Sequence, residues 1–150
     1  MTATTGLDGI KALAGQDLGT GEWLEITQER INAFADATDD HQWIHVDVER
    51  AKNGPFGGTI AHGFLTLSLL VPLSRGLTRF EGIRMAINYG LNRVRFPAPV
   101  RAGARIRARA KNLSIVDVEG GIQVVNEVTV EIEGEPKPAC VAEQVARYYA

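Results

Sequence analysis

Ile60-Ala-His-Gly-Phe-Leu-Thr-Leu-Ser-Leu-Leu-Val-Pro-Leu-Ser-Arg-Gly-Leu77 is the stretch whose reading decides the fold. Phe64, Leu65, Leu67, Leu69, Leu70, Val71 and Leu73 put apolar groups on almost every side of a helix with about 3.6 residues per turn. A helix that is apolar all round belongs inside a protein. Pro72 should kink it or mark its last straight turn. The apolar run from Phe64 to Leu73 is too short to cross a bilayer, which takes about 20 residues. The stretch therefore predicts one long helix at the centre of a domain.

What lies before and after says what covers that helix. Upstream, Ile10–Ala14 suits a short helix, and Gly19–Gly21 turn into a strand over Glu22–Ile26. Thr27 is placed to N-cap the next helix, with Glu29 in its first turn and Ile31, Phe34 and Ala35 at helical spacing. The polar run Asp39–Gln42 ends that helix. Asp47 can cap a short helix that stops at Asn53–Gly54, before a loop with Pro55, Gly57 and Gly58. Downstream, Ile83–Asn92, Arg93–Phe96, Ala104–Lys111, Leu113–Glu119, Gln123–Glu133 and Ala139–Tyr149 read as strands. Gly120-Gly121 and Gly134-Glu135 supply hairpin turns. Helices followed by a run of antiparallel strands make the fold class α+β, a sheet wrapped around the buried helix.

The chain of 150 residues fits one domain, 1–150, able to bury roughly 70% of its unfolded surface. A net charge of −2 gives neither a nucleic-acid footprint nor a polybasic membrane patch. Arg101, Arg105, Arg107 and Arg109 fall on one face of a strand, and a solvated strand face explains them better than a phosphate site. The one cysteine, Cys140, allows no intrachain disulfide, which favours a reducing compartment; Met1–Gly6 lacks the pattern of a secretion signal. A cytoplasmic location is expected.

The chemistry concentrates between Phe34 and His45. Asp40 and His45 would point about 140° apart on a continuous helix. On a loop that curls back, both can reach a single water, as a general base and acid near neutral pH. Asp39 and His41 are equally available on spacing alone. The second element is Gly57-Gly-Thr-Ile-Ala-His-Gly-Phe64, where free N–H groups at a helix start can hold a developing oxyanion. Gly63 there either admits a ligand to the backbone or permits tight packing. His62 suits a buried, hydrogen-bonded histidine. No metal is expected: His41 and His45 are four apart, but no third ligand is evident.

These residues carry a resemblance. Phe34–Ala51 resembles the signature of the (R)-specific enoyl-CoA hydratases of the MaoC type, including a branch similar to nodulation protein N, with the motif's Asp on Asp40, its His on His45 and its trailing small residue on Ala51. Ile60-Ala-His-Gly-Phe64 is similar to the family's apolar–His–Gly–apolar segment at the head of the central helix, and Phe96-Pro-Ala-Pro-Val100 to the strand end that follows. The chain departs at Asp39, where the family often has Gly, and at Gln42-Trp43, where it often has Asn-Pro; Trp43 is expected to reshape the acyl pocket. The resemblance implies a hot-dog fold, usually paired as a homodimer, with an acyl-CoA in a tunnel near the subunit interface. It implies that Asp40 and His45 hold the catalytic water, that the Gly63 N–H stabilises the oxyanion, and that no cofactor is needed. Ile60, Ala61, His62, Ala86, Ile87, Asn88, Tyr89, Pro97, Ala98 and Pro99 are the expected substrate lining. The implied reaction is reversible hydration of a trans-2-enoyl-CoA to a (3R)-3-hydroxyacyl-CoA. The alternatives are an acyl-CoA thioesterase and a non-catalytic acyl-thioester binding protein.

Overall fold

A computed structural model describes residues 2–150. The elements run β1 (Thr2–Thr5), α1 (Gly6–Lys11), β2 (Asp17–Thr20), β3 (Leu24–Glu25), α2 (Gln28–Thr38), α3 (Trp43–Val46), α4 (Val48–Lys52), α5 (Gly63–Ser68), α6 (Leu70–Ser74), β4 (Thr78–Glu81), β5 (Met85–Arg95), β6 (Arg105–Val118), β7 (Gly121–Ile132) and β8 (Cys140–Tyr149). Six strands form an antiparallel sheet in the order β2-β6-β7-β8-β5, with β3 also on β6. This is the hot-dog fold: the sheet wraps the α5–α6 segment.

Alternation along the strands decides which face meets the helices. Ile106, Ala108 and Ala110 of β6 point inward, as do Val128, Val130, Cys140 and Ala142 of the neighbouring strands. They pack against Leu65, Leu69, Leu70 and Leu73 in one continuous core. Arg105, Arg107 and Arg109 take the intervening outward positions. There Arg105 pairs with Glu133 and Arg107 with Glu131 across the β6–β7 ladder, and the Arg107 guanidinium lies 4.2 Å over the Trp23 ring. Arg101 donates to the Gly57 carbonyl. Arg105, Arg107 and Arg109 thus serve a solvated strand face, whereas Arg101 lies before β6, in an isolated bridge to Ile60.

The caps behave as their chemistry requires. Thr27 accepts from the Arg30 N–H at the start of α2, and Asp47 from the Arg50 N–H at the start of α4. Several details differ from expectation. The long central helix is two short ones, interrupted at Leu69, because Pro72 offers no N–H to the Ser68 carbonyl four residues back and its ring crowds that group. Nor is it apolar on all sides for burial's sake: Phe64 and Val71 are exposed. The first helix lies at Gly6–Lys11 rather than Ile10–Ala14; the strand expected over Glu22–Ile26 is only the two residues of β3, and β2 at Asp17–Thr20 precedes it, running into the turn expected at Gly19–Gly21. Each pair of short strands expected over 83–96 and 104–119 is one long strand, because register shifts near Asn88–Arg93 and Asn112–Ser114 absorb extra residues without ending the ladder. β1 and β4 form a small parallel pair, and α3 is an extra turn; neither was expected.

Candidate active site

The loop after α2 curls back through a left-handed residue. Asp39, at φ 57°, caps the helix, and the Asp40 N–H still bonds to the Ala35 carbonyl. The short α3 then returns His45 toward the chain entering α5. Gln28 holds this return in place: its Nε2 donates to the His45 carbonyl, and its Oε1 accepts from the Thr59 hydroxyl. The Ile60 N–H adds a bond to the Ile44 carbonyl.

Three functional side chains converge there. One ligand-type atom each from Asp40, His45 and His62 lies within 4.8 Å of the others. His45 is buried, and its Nδ1 donates to the Ile60 carbonyl at 2.7 Å. A carbonyl only accepts, so Nδ1 carries the proton and the neutral ring presents Nε2 as a bare acceptor. Burial lowers the His45 pKa below its ordinary value, reinforced by His62; the Ile60 bond and Asp40 oppose it without reversing it. His45 is therefore a neutral base at neutral pH. Asp40 is exposed to solvent from the other side.

His62 was expected to line the substrate; it is also what assembles the site. Its ring stacks on His45 with centroids 3.8 Å apart, and Phe34 covers it at 4.9 Å. Its Nε2 donates to the Asp40 carbonyl at 3.0 Å and stands 4.0 Å from the Asp40 carboxylate. Spacing could not find this trio, since His62 lies in a different segment; only its buried, hydrogen-bonded character was legible. The trio also supplies the third group that the sequence lacked for a metal site. One nitrogen of each histidine is already committed to a main-chain carbonyl, His45 Nδ1 to Ile60 and His62 Nε2 to Asp40. His41 stays outside, with Nε2 2.8 Å from the Asp36 carboxylate.

The remaining expected residues are spread over several parts of the fold. Ile60 and Ala61 are buried and lend backbone atoms to the site's frame, Ile60 to His45 and Ala61 through its N–H to the Val100 carbonyl. Gly63 opens α5, so its N–H has no intrahelical acceptor. A Cβ there would stand 3.2 Å from the Phe96 ring, so the missing side chain serves close packing. Pro97, Ala98 and Pro99 form the loop beside that turn, with Ala98 against the core. Ala86, Ile87 and Asn88 line a cavity of about 370 Å³ between α6 and the sheet. Tyr89 does not: it is exposed, with the Arg147 guanidinium 3.6 Å over its ring. Trp43 packs on α4, beneath the Arg50 guanidinium and against Gly54. Cys140 is fully buried, which pushes its thiol up to about 11 and makes it chemically quiet.

Comparison with known proteins gives the chain's family. Residues 10–134 match the family described as MaoC like domain. The chain is 55% identical over 142 residues to 3-hydroxyacyl-thioester dehydratase Z of Mycobacterium tuberculosis (strain ATCC 25618 / H37Rv), covering 94% of each. It is 48% identical over 149 residues to nodulation protein N of Rhizobium meliloti (strain 1021), covering 93% of this chain and 89% of that one. Among solved structures, the monoamine oxidase regulatory protein from Archaeoglobus fulgius superposes with a TM-score of 0.79 at 25% identity, over 100% of this chain and 99% of that one.

Proposed function

The chain belongs to the MaoC-like family, and from that premise we propose that it is an (R)-specific hydratase, adding water reversibly to trans-2-enoyl-CoA to give (3R)-3-hydroxyacyl-CoA. One observation carries the reading. The buried imidazole of His45 is held neutral with its Nδ1 committed to the Ile60 carbonyl, and a ring nitrogen of His45 lies within 4.8 Å of an Asp40 carboxylate oxygen, close enough for one water to bridge the two residues.

In the hydration direction, Asp40 and His45 hold that water against C3. His45 Nε2 takes a proton as the water oxygen bonds to C3, and the C2–C3 π electrons move onto the thioester oxygen as an enolate. The Gly63 N–H donates to that oxygen. The enolate then collapses, and C2 takes a proton from the Asp40–His45 pair. Dehydration runs the same steps backwards. His62 is a positioning residue that fixes the Asp40 backbone and the His45 ring plane.

The test is hydration of crotonyl-CoA, followed by loss of conjugated enoyl-thioester absorbance. Asp40→Asn and His45→Gln should each lower kcat by roughly 10²- to 10⁴-fold. Near-wild-type rates in both folded variants would rule the mechanism out. A thioesterase would instead release free CoA, detectable with a thiol reagent that the buried Cys140 does not confuse. A binding protein would take up enoyl-CoA without turnover.

Pairing with a second copy belongs to the same reading. β5 ends the sheet order with one edge unpaired, and Leu91 on it, with Phe64 and Val71 on the helices, leaves apolar surface uncovered. No helix among the described residues is long and apolar enough to cross a membrane. The unpaired Cys140 fits a reducing cytoplasm.

A further inference from the structure

The inner face of the sheet is interrupted by a row of amides. Asn112 on β6 stands opposite Asn126 on β7, which stands opposite Gln144 on β8. Asn112 Nδ2 donates to Asn126 Oδ1 at 2.9 Å, and Gln144 Nε2 donates to Asn88 Oδ1 of β5 at 3.3 Å. On one side of the row the face is apolar with Ala110, Val128 and Ala142; on the other, Ile122 and Val124 begin a separate core cluster. A sheet that served only to pack would carry aliphatic residues here too.

The row is unevenly satisfied. Asn112 is buried and fully engaged, accepting from the Gly15 N–H and donating to the Val125 carbonyl as well. Asn126, Gln144 and Asn88 each spend one side-chain amide atom in the hydrogen bonds among the described residues, and all three line the cavity of about 370 Å³. Asn126, Gln144 and Asn88 thus turn unspent donors and acceptors toward one recess, open to solvent at Asn88.

That space lies in line with the catalytic turn. A second recess shares Leu70, Val71, Asn88 and Gln144 with it and extends along Leu67 and Ser68 of α5. α5 starts at Gly63, against Phe96 just beyond β5. The trough between the helices and β5 therefore runs from the thioester end toward the amides. Gly63 to Leu70, at about 1.5 Å per helical residue, is roughly 10 Å.

We propose that the cavity is a distal acyl subsite for acyl thioesters whose chain carries an oxygen function, a hydroxyl or carbonyl, near its far end. This rests on the hydratase reading of the Asp40–His45 site. Water satisfies the amides when the cavity is empty. A plain alkyl chain displaces that water and leaves the amides unpaired, whereas an oxygenated chain replaces its hydrogen bonds. Sites built to bond a substrate oxygen reject the analogue that lacks it far more strongly than apolar pockets reject an added hydroxyl.

The experiment is calorimetric titration of the full chain with saturated acyl-CoAs of roughly six to twelve carbons, a span chosen to cover that helical distance. Each is used with and without a terminal hydroxyl. At the length that fits, the hydroxylated ligand should bind about tenfold tighter or more. Gln144→Leu and Asn126→Leu should erase or invert that preference. Thermal melts of both variants check that the fold is kept. Equal or tighter binding of the plain chain at every length would overturn the proposal. Because binding needs no turnover, wild-type crotonyl-CoA hydration measured alongside separates the two claims. Hydration without hydroxyl preference sinks the subsite alone, and hydroxyl preference without hydration keeps the subsite and sinks the reaction.

Discussion

The Nδ1 proton of His45 is committed to the Ile60 carbonyl, so its acid–base chemistry passes through Nε2. Burial lowers its pKa below 6.5, and the acid limb of kcat/KM should accordingly fall below that value. The stability consequence has a definite sign. An unfolded His takes a proton near 6.5 while the folded one resists, so stability is lost as pH falls from about 6.5 to the lower folded pKa. Urea midpoints across that window should slope less in His45→Gln, and an acid limb at or above 6.5 would contradict the assignment. Asp39 invites a different test. Its left-handed φ of 57° suits glycine, so Asp39→Gly should stabilise by about 0.5–1 kcal/mol, raising Tm by roughly 1–4 °C. Asp40 and His45 were legible because one short segment carries both. His62 as their support was not, because stacking and a bond to a main-chain carbonyl leave no trace in spacing.

At the scale of elements, the helices and strands were largely readable, and their interruptions were not. Pro72 announced a disturbance, but the break falls one turn earlier at Leu69, next to the Ser68 carbonyl that an N–H at residue 72 would have bonded. The register shifts in β5 and β6 left no compositional mark, so each strand read as two. The Gly120-Gly121 turn was readable, though not how tightly it closes. A Cβ on Gly121 would collide with the Tyr148 carbonyl and stand 2.7 Å from the Tyr149 ring. Gly121→Ala should therefore destabilise by about 1–3 kcal/mol, a Tm loss of about 2–4 °C for each kcal/mol at this chain length. An unchanged melt would show that the β7–β8 ladder can shift there without cost.

For the whole molecule, the exposed edge of β5 and the uncovered Phe64 and Val71 argue for assembly. Light scattering should give about twice the 16.3 kDa chain mass, and Leu91→Lys together with Phe64→Lys should shift the population toward monomer. A monomeric wild type at micromolar concentration would refute the pairing. The sequence by itself determined the α+β class, the buried helix under an antiparallel sheet and the Asp40–His45 segment, because periodicity, capping and a local motif are properties of neighbouring residues. Only the tertiary structure decided the tautomer of His45, the part played by His62 and the amide floor beneath α6. Each of these depends on groups far apart in the chain being brought within a few ångströms, and a distance of that kind is set by packing.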